Sequence, residues 1–536
     1  MKVRDCLKSR SVKSSGRDFR APERSVLKYV STGAQKIAPR RPPERLFKQS
    51  LKVWVVGLSL FGLAGCMVGP DYQKPQLVVP AGYKEAAGWV PAQPADDAPK
   101  GAWWQAFGDA DLNRLEPLVA VNNASLAADY YAYEQSVEIV QEVRGGLFPT
   151  VGLTGSATRS AEEQGGTVTG SSVARSSGGP RTSGTFEGSV DWTPDIWGKI
   201  RRQVQGDVAA AQVSAADLAN ATLSTQAALA SDYVDLRASD AQIALFQETV
   251  AADQRSLQIT LNQSNAGVAA PSDVVTARTQ LEGAQAQLIN AGAARAQFEH
   301  AIAVLAGHAP SELSIPPGEQ IDAVPVPPPG VPSTLLERRP DIAAAERTMD
   351  EENAQIGIAV GAYYPDLSLS ALGGYAADPI GGLFSVSNSL WSLGASVSED
   401  LFEGGTRSAT VAAARFGYDE SVQTYRQTVL SAFQDVEDDL SNLRILAEQA
   451  QVEAEAVVNA QRAVQIALNE YQAGTEAYTT VVTAQLTLLG DQEAVLTVQQ
   501  DRLLASVALF EDLGGGFQAS DLPSADELQA KLPFAP

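Results

Sequence analysis

The chain has 536 residues, with 40 Lys+Arg against 63 Asp+Glu and a formal net charge of −23. Residues 1–65 hold 15 basic and 4 acidic side chains, so the remaining 471 carry −34, which argues against nucleic acid or any other polyanion as the partner of the main body. Two cysteines, Cys6 and Cys66, and two histidines, His300 and His308, exclude a disulfide framework and a cysteine metal site and speak against a histidine-rich one.

The first element is an address. Lys48 and Lys52 introduce the uncharged stretch 53–65, the layout of an export signal. The stretch is too short for a spanning helix, which needs about 20 apolar residues, and no second spanning candidate follows. Leu63-Ala64-Gly65-Cys66 resembles the lipobox of bacterial lipoproteins, so Cys66 is expected to be diacylated and to become the mature N-terminus. The alternative is a buried cysteine at the end of a hydrophobic helix. Met67 stands where an Asp would favour retention at the inner membrane, which points to outer-membrane sorting. Residues 1–45 precede a complete signal and are read as upstream of the true translation start.

The body is a duplication. Asn123-Ala-Ser-Leu-Ala-Ala-Asp and Pro149 match Arg339-Pro-Asp-Ile-Ala-Ala-Ala and Pro365 at an offset of 216. Asp195-Ile-Trp and Arg202 match Asp400-Leu-Phe and Arg407 at 205. Ala266-Gly267 and Val274-Val-Thr-Ala277 match Ala473-Gly474 and Val481-Val-Thr-Ala484 at 207. The organisation expected is an N-terminal extension and signal (1–65), a lipid-anchored segment (66–110), a first repeat (111–310), a Pro-rich linker (311–335), a second repeat (336–513) and a tail (514–536).

Between its landmarks each repeat carries two segments of about ten residues with period-two alternation. Val151, Leu153 and Ala157, then Phe186, Val190 and Trp192, take one parity, against Thr154, Ser156 and Thr158, then Thr185, Glu187, Ser189 and Asp191. In the second copy Leu367, Leu369, Ala371, Tyr375, Trp391, Leu393, Ala395 and Val397 alternate with serines. Such segments suit transmembrane β-strands of about 9–11 residues, and equally half-buried hairpins of a soluble protein. Proline-free, Ala- and Gln-rich runs follow, from 195 to 270 and from 380 to 522. They predict helices over 195–263 and 403–472, roughly 100 Å each, with returns over 272–305 and 479–513 after the two Ala-Gly turns. Ala209, Ala210, Ala211, Ala215, Ala216 and Ala219 offer small side chains over a wide arc, as a tube wall or a long antiparallel coiled coil requires.

Four strands cannot close a transmembrane barrel, because the smallest have about eight and an open edge in lipid leaves backbone groups unpaired. Several chains must therefore share one barrel. At this point the residues resemble a known family, the TolC-like outer-membrane factors, in particular the NodT-type lipoprotein branch of RND efflux systems. The similar pieces are Val68-Gly-Pro-Asp-Tyr-Gln-Lys-Pro75, Trp103-Trp104 with Phe107, Asp109 and Leu112, Asp195-Ile-Trp-Gly198, Leu335-Leu-Glu-Arg-Arg-Pro-Asp341 with Ala345-Glu346, Leu401-Phe-Glu-Gly-Gly405 and Gly514-Gly-Gly-Phe517. Their order and spacing run through nearly the whole mature chain. The resemblance implies an α+β membrane protein: a homotrimer with a twelve-stranded outer-membrane β-barrel, four strands per chain, continued by a long periplasmic α-helical barrel. A periplasmic adaptor and an inner-membrane RND pump would load it.

The expected function is a passive exit duct across periplasm and outer membrane, with no enzyme activity, no cofactor, no metal and no nucleic acid. On that reading Phe186, Val190, Trp192, Leu367, Leu369, Trp391 and Leu393 face lipid. Ala266, Gly267, Ala473 and Gly474 form the periplasmic tip, where the family narrows the tunnel and meets the adaptor. Thr479, Thr480 and Thr483 occupy positions that carry acidic rings in many members, and Asp273 offers a replacement carboxylate. Ser272 and Asp273 serve either there or as helix caps. Some of Glu437, Asp438, Asp439, Glu187 and Asp191 are candidates to line a lumen. Arg338-Arg339-Pro340-Asp341 reads as capping and packing at a helix start, and His300 and His308 as structural. The competing function is a lipid-anchored periplasmic coiled-coil scaffold without a pore.

Overall fold

The chain alternates α-helical and β segments in two matching halves. The computed structural model describes residues 67–77, 79–80, 82–85, 101–161, 180–327 and 335–530, so Cys66 and the signal lie outside the described residues. After a 3-10 turn, Trp103–Phe107, come α1 (Ala110–Asn122), α2 (Ala124–Gly145), β1 (Thr150–Ser160), β2 (Arg181–Trp192), α3 (Lys199–Asn265) and α4 (Pro271–Leu305). The second half runs α5 (Leu335–Arg338), α6 (Pro340–Gly361), β3 (Asp366–Ala377), β4 (Ser389–Ser398), α7 (Thr406–Gln472) and α8 (Tyr478–Asp512), closed by α9 (Ala525–Gln529). Helices α3 and α7 each have 67 residues, α4 and α8 each 35, and α2 and α6 each 22. Among the described residues no helix is long and apolar enough to cross a membrane.

The duplication reaches individual backbone positions. Gly198 and Gly405 precede the two long helices in left-handed conformations, φ 78° and 94°. They are 207 residues apart, so the two extra residues of the second copy sit in the loop before Gly405. This corrects the expected equivalence of Arg202 and Arg407. Arg202 is buried and donates to the carbonyls of Val68 (3.0 Å) and Gly69 (3.2 Å) and to Asp71 (2.9 Å). Arg407 instead pairs with Glu403 (2.9 Å) and Glu399 (3.5 Å) within its own half.

A joint near the far ends of α4 and α8 is also built twice. Gly307 and Gly514 adopt φ 73° and 89°, and a Cβ on either would run into a carbonyl oxygen, that of Asn122 or of Arg338. In the first half the Asn123 amide donates to the Leu305 carbonyl at 3.0 Å. In the second, Arg339 donates to the Asp512 carbonyl at 3.2 Å. The geometry is shared and the chemistry has diverged.

Small side chains let α3 take neighbours on several sides. Ala211 packs with Val137, Val140, Val204 and Val208, and Ala216 with Ala343 and Ala344. Helix α3 packs against α4, α7 against α8, and α3 against α8, so two helical hairpins stand side by side. Extended straps bind the halves together. The described residues between 67 and 85 are held by Arg202, by Asn353 donating to the Pro70 carbonyl (3.1 Å), by Lys74 with Glu346 (2.6 Å) and by Glu437, which accepts the backbone N–H groups of Lys84 (2.6 Å) and Glu85 (2.8 Å). The linker after α4 is held by Arg295 on the Ile315 carbonyl (2.7 Å), Arg237 on the Pro316 carbonyl (2.8 Å) and Gln499 on the Ile321 carbonyl (2.9 Å).

One position in the buried stripe of α1 breaks its apolar pattern. Leu112, Leu115, Glu116 and Val119 form the buried stripe of α1, and both carboxyl oxygens of Glu116 are buried without a hydrogen-bond partner. Burial pushes this carboxyl up to about 9. The folded form thus holds its proton far above the ordinary glutamate value of about 4.3, and its contribution to stability is lost as pH rises from there through about 9. Glu116→Met should raise stability at neutral pH by about 1–3 kcal/mol and flatten this slope, checked by thermal unfolding at pH 5 and pH 9.

Candidate functional site

The strands form one antiparallel sheet in the order β1-β2-β3-β4. Opposed residues share a face, and the register pairs Val151 with Val190, Gly155 with Phe186, Phe186 with Tyr375 and Trp192 with Leu369. It continues with Leu367 opposite Val397, Ala371 opposite Leu393 and Gly373 opposite Trp391. All seven residues expected to meet lipid therefore lie on one face. That face is open: Trp391 is 79% exposed, Leu393 76% and Val151 79%. The opposite face carries hydroxyls bonded across strands, Ser156 to Thr185 (2.7 Å) and Ser368 to Ser396 (2.6 Å), with Glu187 and Asp191 beside them. Leu372 and Leu390 depart from this polarity.

Aromatic residues stand at both ends of the strands, a signal the sequence reading did not use. At the hairpin end Phe384 packs edge-on against Phe186 (5.5 Å) and Tyr375 (5.7 Å). At the helix end Trp192 donates to the Leu147 carbonyl (3.0 Å), and Trp197 stacks on Tyr364 (4.7 Å) and donates to the Pro365 carbonyl (2.9 Å). An apolar band on strands of 10–12 residues between two aromatic girdles is the layout of an outer-membrane barrel wall. Among the described residues, β1 and β4 each have one neighbour in the sheet, so two edges are left for further strands.

At the opposite end, the turns after α3 and α7 are alike. Gly267 and Gly474 adopt φ 74° and 76°. The Val268 N–H closes on the Gln263 carbonyl (2.9 Å) and the Thr475 N–H on the Glu470 carbonyl (3.0 Å), the Schellman pattern that ends helices. Ala266, Gly267, Ala473 and Gly474 are exposed there, as are Thr479, Thr480 and Thr483. The caps of α4 and α8 are Ala270 and Ala477, and neither makes a side-chain cap bond, so Ser272 and Asp273 are not caps. Asp273 is half-buried and faces the other hairpin: burial raises Tyr478 to about 12, with the charges of Asp253 and Asp273 adding to the effect.

The tip also has a carboxylate that the sequence reading missed. Glu476 Oε2 accepts from the Ala477 N–H (3.1 Å) and the Thr480 hydroxyl (3.2 Å). It lies in the turn before the helix, two residues after Gly474, rather than at the helical positions where an acid was sought.

The candidate lumen acids separate. Asp438 is exposed, while Glu437 is taken up by the N-terminal strap and Asp439 is buried. Desolvation and the adjacent Asp512 carboxyl push Asp439 up to about 8, so the two carboxyls hold a proton between them. Arg339 is bonded to Asp341 (2.8 Å) and to Asp512 of this pair (3.0 Å), a packing contact between α6 and the end of α8; it is the N-cap residue of α6 but makes no side-chain cap bond. Because the folded pKa is raised, this contribution is present below about pH 4 and is lost as pH rises through about 8. Asp439→Asn should weaken that decline, read as the temperature of complex dissociation at pH 5 and pH 8.5. Parallel profiles for the two proteins would refute the shared proton.

His308 lies just past α4, its backbone N–H closing on the Ala303 carbonyl at 2.8 Å. Among the described residues no group of three His, Cys, Asp or Glu side chains is placed to hold a metal. Comparison with known proteins gives a uniform result. The family model described as outer membrane efflux protein matches residues 117–308 and again 331–515. TtgC of Pseudomonas putida, a probable efflux pump outer membrane protein, is 30% identical over 469 residues, covering 86% of this chain and 95% of TtgC. The outer-membrane channel OprN is similar in structure with a TM-score of 0.76 at 27% identity, over 84% of this chain and 99% of that one. The outer membrane protein VceC of Vibrio cholerae gives 0.70 at 26% identity, over 78% and 100%.

Proposed function

The chain belongs to the outer membrane efflux protein family, and from that premise we propose that three copies share one twelve-stranded barrel, their paired helical hairpins continuing the bore through the periplasm. It is an outer-membrane efflux channel, of a family of channel components and not of enzymes. The single observation that carries the shared barrel is the four-stranded sheet with one exposed apolar face and two unpaired edges. Neighbouring copies would pair β1 with β4 and turn the hydroxyl-lined face inward. A pore-free scaffold gives that apolar face no use.

In this reading the duct works by shape and charge alone. Lipid meets Phe186, Val190, Trp192, Leu367, Leu369, Trp391 and Leu393. Cys66 carries the lipid anchor. The first described residues after it lie at the helix end of the strands, where Met67 packs against Gly198 and the Val68 N–H donates to the Trp197 carbonyl (3.1 Å). The tip, Ala266-Gly267 and Ala473-Gly474, meets a periplasmic adaptor loaded by an inner-membrane RND pump, and Thr479, Thr480 and Thr483 border the constriction. Glu476 and Asp273 supply its charge, three of each in a trimer.

Single-channel recording tests the constriction. Glu476→Gln and Asp273→Asn should each reduce cation preference, and Thr480→Ala should change conductance. Unchanged recordings from all three variants would place the constriction elsewhere.

A further inference from the structure

A cleft of about 420 Å³ opens between α3 and the second hairpin, part-way from the tip to the joint. Its walls mix apolar and polar side chains, the apolar ones including Leu245 and Ile259 from α3, Leu468 from α7 and Leu489 from α8. Two hydrogen-bond acceptors in it are unsatisfied. Asp253 is 3% exposed and its Oδ2 has no partner; the Gln485 Oε1 is likewise buried without one. The two acceptors belong to one surface. The Gln485 amide donates to the Ser256 hydroxyl (3.1 Å), and Ser256 lies one turn from Asp253 on the same side of α3. Burial pushes the Asp253 carboxyl up to about 6.

The duplication does not account for this pair. At the positions 207 residues away stand Ala460 and Arg278, neither of them an acceptor, so the arrangement belongs to this cleft rather than to the hairpin fold. A half-open cleft of this size, with leucine and isoleucine side chains, a few convergent polar groups and a perturbed carboxyl, is what small-molecule sites look like. What is missing is donors, and an ammonium group brings three and no acceptor.

We propose that this cleft binds a small primary ammonium ion with an apolar body, one per chain, its N–H groups donating to Asp253 Oδ2 and Gln485 Oε1 and its hydrocarbon lying against the leucine and isoleucine walls. Glu248 and Arg255 stand exposed at the rim and set the charge at the entrance. The walls come from both hairpins, so an occupant ties α3 to α7 and α8. The site stands on the cleft alone and does not depend on conduction.

The test is calorimetric titration of the full-length protein, extracted in detergent, with cyclohexylamine at pH 7.5. Saturable binding of one molecule per chain is expected, with cyclohexanol and ammonium chloride each binding at least tenfold more weakly. Asp253→Asn, which keeps the shape, should weaken cyclohexylamine at least tenfold. Ala252→Leu, which fills the cleft without touching either acceptor, should do the same and guards against misfolding of the first variant. Absence of binding would overturn the proposal, as would cyclohexanol binding equally well or affinity unchanged in both variants. Ammonium chloride binding as tightly as cyclohexylamine would overturn the role of the apolar walls.

Discussion

Leu393→Arg should remove the protein from the outer membrane, whereas Ser392→Arg, one residue earlier on the same strand, should leave it there. Leu393 lies mid-strand on the apolar face opposite Ala371, and Ser392 on the other face opposite Leu372. An arginine on the lipid side of a barrel costs about 2–4 kcal/mol at the bilayer midplane, and a threefold assembly incurs it three times. On the inner face the same side chain meets water and should instead lower cation conductance. The check is the amount of each variant in washed outer membranes, followed by conductance of whichever inserts. Equal insertion of both would mean that the two faces are wrongly assigned.

Among the described glycines, Gly514→Ala should be the most damaging single-methyl change, with Gly307→Ala close behind. Both positions need a positive φ, which costs an L-residue about 1–2 kcal/mol, and at both the new methyl would strike a backbone carbonyl. The displacement this forces adds a further cost of about 1–3 kcal/mol. Gly474→Ala is the control: its φ is 76°, but nothing lies within 4 Å of the added carbon, so it should show the conformational cost alone. The measurement is the temperature at which the detergent-extracted complex dissociates. A Gly474 variant as unstable as the Gly514 variant would show that crowding at the joint is unimportant.

The elements of this fold were legible because their signals are long. Two proline-free runs and their Ala-Gly turns gave α3 and α7 to within a few residues, and strict alternation placed Val190, Trp192, Leu369 and Leu393 on one face before any register was known. Positions whose role depends on what approaches from elsewhere were not legible. Arg202 is one of several arginines until its carbonyl partners in the N-terminal strap are seen, and the pairing of Arg202 with Arg407 followed letters where the helix start at Gly405 had shifted by two. Gly307 and Gly514 carry no local mark of the carbonyls they admit. The alternation of charge and helix could not show that Glu437 and Asp439 are occupied by the strap and by Asp512. Glu476 was missed because an acid was sought on the helix, while the turn holds it. Asp253 looks like any helical aspartate, and the cleft beside it exists because two hairpins half a chain apart lie together.

The central claim is that one chain holds a third of a barrel, and the mass of the detergent-extracted outer-membrane species, corrected for bound detergent, tests it most directly. The sheet with its two open edges predicts three chains, resistant to dissociation on an unheated gel. A water-soluble monomer or dimer would contradict it.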